Sequence, residues 1–180
     1  MSFTEPQSNI DQFMIPEGAR VADLGAGSGM YTIAAARAVG DTGRVLSVEV
    51  QKELLVRLQT AAKGEGLSNI DVIWGDIEKL GGTKIRDMSI DAAIVSNVLF
   101  QIEDRRDFMT ELKRILKPRG KVLVVDWSGS YGGMGPTPEQ VVSEQDVKTL
   151  FYVPRYDNSE RAKCEAYYVY DEQFATEEVL

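Results

Sequence analysis

The chain has 180 residues, 43% of them hydrophobic and 27% charged, with a formal net charge of −8. This is the composition of one globular domain; it excludes a disordered or collagen-like chain, and the acidic balance argues against a general nucleic-acid binder, the one short basic cluster being Lys113, Arg114, Lys117, Arg119 and Lys121. Histidine is absent and Cys164 is the only cysteine, so His-based catalytic triads, His metal sites, thiolate cages and intramolecular disulfides are all removed.

The N-terminal stretch Met1–Asn9 is polar and has no signal-peptide pattern. No apolar run approaches the roughly 20 residues that span a bilayer, so a cytoplasmic protein without a membrane span is expected. Arg20–Leu24 reads as a strand running into the glycine cluster Gly25-Ala-Gly-Ser-Gly29. Met30–Ala38 is alanine-rich and helical, stopping near Gly40. Arg44–Glu49 is a β-branched strand, and Gln51–Lys63 sets Leu54, Leu55, Leu58 and Ala62 on one helical face before Gly64. Asn69–Trp74 and Ile90–Val95 are strands, the second apolar enough to be buried on both faces. Phe108, Leu112, Ile115 and Leu116 make the apolar stripe of a helix whose polar side holds Glu111, Lys113 and Arg114, and which Pro118 and Gly120 end. Lys121–Asp126 is a fifth strand.

Strand and helix thus alternate from residue 20 to 126, which specifies an open parallel α/β sheet with right-handed crossovers. Ser128–Pro138, with four glycines and two prolines, is a loop. Ser143 is placed to cap a helix over Glu144–Phe151, and Tyr152–Tyr156 and Cys164–Tyr170 are candidate edge strands.

A strand that ends in closely spaced glycines and enters a helix presents bare backbone and unpaired N–H groups to a ligand, as a nucleotide-like cofactor requires. Glu49 ends the second strand 20 residues after Gly29, where a carboxylate can accept both hydroxyls of a ribose. The glycine spacing is G-x-G-x-G, with Met30 where a dinucleotide site of the G-x-G-x-x-G form has its third glycine, which argues against a pyrophosphate.

The segment Val21-Ala-Asp-Leu-Gly-Ala-Gly-Ser-Gly29 resembles motif I of the class I S-adenosylmethionine-dependent methyltransferases. The resemblance continues through Glu49, Gly75-Asp76-Ile77, Ser96-Asn97-Val98-Leu99 and the Leu116-Lys-Pro-Arg-Gly120 turn, over roughly residues 10–140. Within that superfamily the chain is most similar to the small quinone-biosynthesis-type enzymes. The resemblance implies a Rossmann-like, doubly wound, mostly parallel sheet with helices on both faces and an atypical C-terminal edge: one domain over 1–180, with a core at 10–140 and an unusual segment at 141–180.

It also implies S-adenosylmethionine as cofactor and a small-molecule acceptor, with no metal and no nucleic acid. Asp23 and Asn97 would serve the methionyl end, and Gly25, Ala26, Gly27 and Gly29 the methionine and ribose. Glu49 would hold the ribose hydroxyls, Val50 the adenine face, Asp76 the adenine amino group, and the Ile77 amide would stand nearby. The structural alternative for Asp76 in Gly-Asp-Ile-Glu is a helix cap, and the two roles can coexist. No catalytic group is assigned; Asp126 and Tyr31 are within reach as bases, and each has a plain structural use. Phe3, Phe13 and the loop from Trp127 to Pro138 are candidate lid elements. The glycine-free segment after Leu150 suggests either a short hairpin, Tyr152–Asp157 with Cys164–Tyr170, or a tail exchanged in a homodimer. An NAD-type oxidoreductase and a non-catalytic S-adenosylmethionine-binding module are the competing readings.

Overall fold

A computed structural model of the chain describes residues 5–130 and 135–151, and the backbone of 165–171. Its first element is a helix, α1 (Pro6–Phe13), with Pro6 in the first turn where its missing N–H costs nothing, and with Met14 in a left-handed conformation at its end. The chain then alternates through β1 (Arg20–Leu24), α2 (Met30–Val39), β2 (Arg44–Glu49), α3 (Lys52–Gly64), β3 (Ile70–Trp74) and β4 (Ile90–Ser96). A single 3₁₀ turn at Leu99–Gln101 leads to α4 (Arg105–Ile115), β5 (Leu116–Trp127), α5 (Glu144–Phe151) and β6 (Glu165–Asp171).

The sheet order is β3-β2-β1-β4-β5-β6, and every pairing is parallel. Alternate strand residues feed two separate cores, as the two-residue period of a strand demands. Val21, Val45, Ala92, Ile94, Leu123 and Val125 pack against Ile10, Phe13, Ala35 and Val39 of α1 and α2. Ala22, Val48, Ala93, Val95, Val122 and Val124 pack against Phe108, Leu112 and Ile115 of α4 and Val147 and Phe151 of α5. The doubly wound expectation therefore holds, and the point where strand order reverses lies between β1 and β4.

Four sequence expectations change. Phe13 is no lid residue: it is 2% exposed and closes the core beneath α2. Phe3 lies outside the described residues. The strand–helix alternation breaks between β3 and β4, where residues 75–89 form turns without a helix; glycines at 75, 81 and 82 and left-handed backbone at Lys84 and Met88 preclude one. The turn at 117–120 is absorbed into β5 as a bulge, since Ile90 pairs with Leu116 and Ala92 with Lys121, with Arg119 in the left-handed region. Glu111, placed by periodicity on the polar side of α4, is 1% exposed.

At the C-terminal end, Ser143 caps α5 as expected, accepting from the Asp146 N–H (3.1 Å). β6 is the edge strand anticipated at Cys164–Tyr170. It pairs directly with β5, Lys121 opposite Glu165 through Trp127 opposite Asp171, and among the described residues no strand is inserted between them. The hairpin partner Tyr152–Asp157 lies outside the described residues.

Candidate functional site

The C-terminal ends of β1, β2, β3 and β4 open onto a cavity of about 470 Å³, at the switch point where open α/β sheets bind ligands. Of the ten residues the sequence nominates, Asp23, Gly25, Ala26, Gly27, Glu49, Val50, Asp76, Ile77 and Asn97 line it. Gly29 does not. Its φ is +91°, and a Cβ there would stand 2.6 Å from Leu58 Cγ, so this glycine lets α3 close against the start of α2. Gly27, with φ +55°, has open space where a Cβ would stand, and that space borders the cavity.

Glu49 is fixed by backbone. Its Oε2 accepts from the Gly27 N–H (3.0 Å) and its Oε1 from the Gln51 N–H (2.9 Å). Each oxygen keeps a lone pair, so the buried carboxylate is oriented at the cavity wall with acceptor capacity to spare. Gly25 and Ala26 in turn donate to the Val48 carbonyl (2.9 and 3.0 Å), which ties the glycine turn to β2.

Asp23 lies at the floor, 1% exposed, accepting from the Thr32 hydroxyl (2.5 Å), which also bonds the Ser47 hydroxyl (2.9 Å). Burial pushes its carboxyl up to about 6 against the pull of the Thr32 hydroxyl, and the Glu49 charge adds to the rise. Asn97 has left-handed backbone (φ 53°), is anchored by its N–H to the Val125 carbonyl (2.7 Å), and leaves its buried Oδ1 without a partner. An acceptor buried without a donor is costly in a protein alone and useful where a ligand supplies the donor.

Asp76 is no helix cap. Its Oδ1 accepts from the Glu78 N–H (3.0 Å) within a turn and its Oδ2 pairs with Lys79 (2.8 Å); the Lys79 hydrogen bond holds its carboxyl below the usual range. Sequence reasoning passed over Ser28, Gln51, Leu54, Glu78, Gln101 and Ile102, which also line it. They follow a named motif position by one to four residues, and that adjacency was the available signal. Tyr31 also lines the cavity, with its Oη accepting from Asn9 Nδ2 of α1 (2.6 Å).

Asp126 does not line it. It accepts from the N–H groups of Leu99 (3.0 Å) and Trp127 (2.8 Å), bracing the 3₁₀ turn from behind, and burial raises its carboxyl to about 6. Among the described residues the lining holds four acids, Asp23, Glu49, Asp76 and Glu78, of which Asp76 is paired with Lys79, and no lysine or arginine, so the cavity favours a cationic ligand. An adenosyl sulfonium suits this donor and acceptor set: acceptors at Glu49 and Asp76 for hydroxyl and amino hydrogens, unpartnered Asn97 Oδ1 and anionic Asp23 for an ammonium, and space over Gly27 for the chain between.

Comparison with known proteins agrees with this geometry. A methyltransferase domain model matches residues 15–173. The ubiquinone/menaquinone biosynthesis C-methyltransferase UbiE of Enterobacter sp. strain 638 is 27% identical over 147 residues, 81% of this chain and 55% of that protein. An arsenite methyltransferase of Aquipseudomonas alcaligenes is 35% identical over 115 residues, 61% of this chain and 33% of that one. An S-adenosylmethionine-dependent methyltransferase structure from Aquifex aeolicus superposes with a TM-score of 0.73 at 28% identity, covering 82% of this chain and 77% of the other. The chain spans about half the length, or less, of these two curated relatives. With the family model covering most of the chain and the motif residues gathered at one cavity, the chain belongs to the class I S-adenosylmethionine-dependent methyltransferase family.

Proposed function

We propose that this protein transfers a methyl group from S-adenosylmethionine to a small-molecule acceptor. The observation that carries the reading is the cavity at the switch point, in which Glu49 is held at both oxygens by the backbone of the glycine turn and of Gln51, just before α3. When bound, the sulfonium supplies a methyl group already activated for in-line displacement. The protein's part is then to bind and orient. Glu49 holds the ribose hydroxyls, Asp76 and the Ile77 amide the adenine edge, Val50 its face, and Asp23 and Asn97 the amino end. Holding the reacting groups in line supplies about 7–11 kcal/mol in favourable cases, which suits a chain without histidine. Of the two proton acceptors considered, Tyr31 faces the cavity and Asp126 does not.

The acceptor class has support from the relatives, whose names include a quinone-biosynthesis C-methyltransferase and an arsenite methyltransferase. A cytoplasmic location, the absence of nucleic-acid partners, the single domain and a homodimer belong to the same proposal. Among the described residues no helix is long and apolar enough to cross a membrane. The dinucleotide alternative is disfavoured by the family match and by the use of Gly29 for packing against Leu58.

Calorimetry with S-adenosylmethionine, S-adenosylhomocysteine and NADH tests the cofactor: binding of the first two and not the third is expected, and the reverse pattern sinks the reading. Incubation with labelled S-adenosylmethionine and a metabolite pool then separates an enzyme, which yields labelled product, from a binding module, which yields none. Light scattering on the full chain checks the dimer.

A further inference from the structure

The connection from β3 to β4 carries one wall of the cavity, Gly75 to Glu78, yet has no helix to stiffen it. Its rigidity is supplied from outside the cavity, by α4. Glu111 is 1% exposed, and its carboxylate bonds to this connection and to Arg114. Its Oε2 accepts from the Gly81 N–H (2.8 Å) and Arg114 Nε (2.7 Å). Its Oε1 accepts from the Thr83 N–H (3.1 Å), the Thr83 hydroxyl and Arg114 Nη2 (2.7 Å). Arg114 Nη1 continues to Asp87 at the far end of the same connection.

From this clamp the bonds run inward. Gly82, between the two clamped amides, accepts from the Asp76 N–H (3.1 Å), and a Cβ on Gly82 would stand 2.2 Å from the Asp76 carbonyl oxygen. Glu78 is tied separately to the start of α4, accepting from the N–H groups of Glu103 and Asp104 (2.9 Å each).

We propose that Glu111 is a positioning residue of the cofactor site: through Gly81–Thr83 it holds Asp76 and Ile77 in the conformation that receives the adenine ring. The proposal rests on the reading that these two residues hold adenine. A loop that is binding-competent only part of the time weakens apparent affinity in proportion to that fraction. Releasing the clamp therefore shows in binding, and bound ligand restores the order that was lost.

The test uses Glu111→Gln, which keeps the side-chain shape and one acceptor but sets an NH2 group against N–H donors. The dissociation constant for S-adenosylmethionine is expected to rise on the order of tenfold, the effect of a buried donor left without its acceptor. Amide exchange over residues 75–83 should quicken in the free variant and return to the wild-type rate with ligand bound. In an Asp76→Ala background the same change should weaken binding by less than twofold or so, because the contact it positions is gone. Should Glu111→Gln not fold, Thr83→Val removes one hydroxyl from the clamp and is expected to show the same pattern at smaller amplitude. If the variant melts lower yet binds the ligand as the wild type does, or if the effects of the two substitutions simply add, Glu111 is a stabilising residue only and the proposal is overturned. Failure of the wild-type protein to bind S-adenosylmethionine overturns the functional reading itself, which is a separate result.

Discussion

Two carboxylates of this molecule are equally hidden from solvent and differently used. Asp23 and Glu111 are each 1% exposed. Burial drives the carboxyl of Asp23 up to about 6, with only the hydroxyl and backbone N–H of Thr32 opposing. Burial acts on Glu111 in the same direction but is overcome by the hydrogen bonds from Arg114, Thr83 and Gly81, which leave its carboxyl at about 2. The hydrogen bond to Glu111 raises the Arg114 guanidinium in return. The difference is the donor supply. At Glu111 the protein provides it all, and the result is a clamp. At Asp23 the cation is missing from the protein, and the result is a carboxylate ready for a cationic ligand.

The largest expected effects follow from disturbing the clamp. Removing one partner of a buried ion pair costs about 3–5 kcal/mol, and Arg114 is 19% exposed, so Glu111→Ala should fall near the lower end, about 3 kcal/mol by denaturant unfolding. The two acids also pull stability in opposite directions with pH. Glu111 is depressed from 4.5 to about 2, so its contribution is complete above pH 4.5 and is lost as pH falls toward 2. Asp23 is raised from 3.8 to about 6, so the folded state binds its proton more readily than the unfolded state, and stability falls as pH rises from about 4 through 6. Asp126 adds to that second effect. Urea midpoints should thus rise from pH 7 to about 5 and fall again below about 4. Asp23→Asn should flatten the rise and Glu111→Gln the fall; a profile unchanged in both variants removes the contrast between the two acids.

A smaller effect separates them by binding. A cationic ligand favours the ionised form of Asp23, so affinity for S-adenosylmethionine should decline as pH drops through 6, by roughly tenfold per pH unit at its steepest. Asp23→Asn should bind more weakly at pH 7 and lose that dependence. Calorimetry between pH 5 and 8 decides it, and a wild-type affinity indifferent to pH argues that Asp23 stays charged or stays remote from the ligand. Asp76→Ala, which removes one acceptor at the other end of the ligand, should cost about 1–3 kcal/mol of affinity without altering the pH profile.

What was legible in the sequence was whatever is written locally. The strand, glycine turn and helix at Arg20–Val39, and the acid that ends β2, each carry their signal within a few residues. The cap of α5 by Ser143 is of the same kind. The parts that escaped depend on partners far along the chain. α1 is short, and Ile10 and Phe13 declare themselves core residues only once α2 is present to receive them. Glu111 sits among Lys113 and Arg114 in a polar rhythm, and the acceptors it supplies are needed by residues 28 and 30 positions earlier. Asp126 looks free at a strand end until the Leu99 amide turns back onto it. In each case the local pattern was compatible with a solvated side chain, and burial was decided by a tertiary contact.

The last two glycines of the turn, Gly27 and Gly29, which local pattern treats alike, should come apart under substitution. Gly29→Ala forces a side chain into positive φ and into Leu58 Cγ at 2.6 Å, so strain and overpacking act together; a loss of about 1–3 kcal/mol in stability is expected, with α3 displaced and ligand affinity reduced only in step. Gly27→Ala meets no atom within 4 Å, so its folding penalty is limited to the backbone, about 1 kcal/mol, while the methyl group occupies the space that borders the cavity. Affinity should then fall by more than stability. Paired measurements of melting and of S-adenosylmethionine binding in the two variants read this directly. If Gly29→Ala were the binding defect and Gly27→Ala the folding defect, the assignment of one glycine to packing and the other to the ligand would be reversed, and the cradle over Gly27 would lose its place in the site.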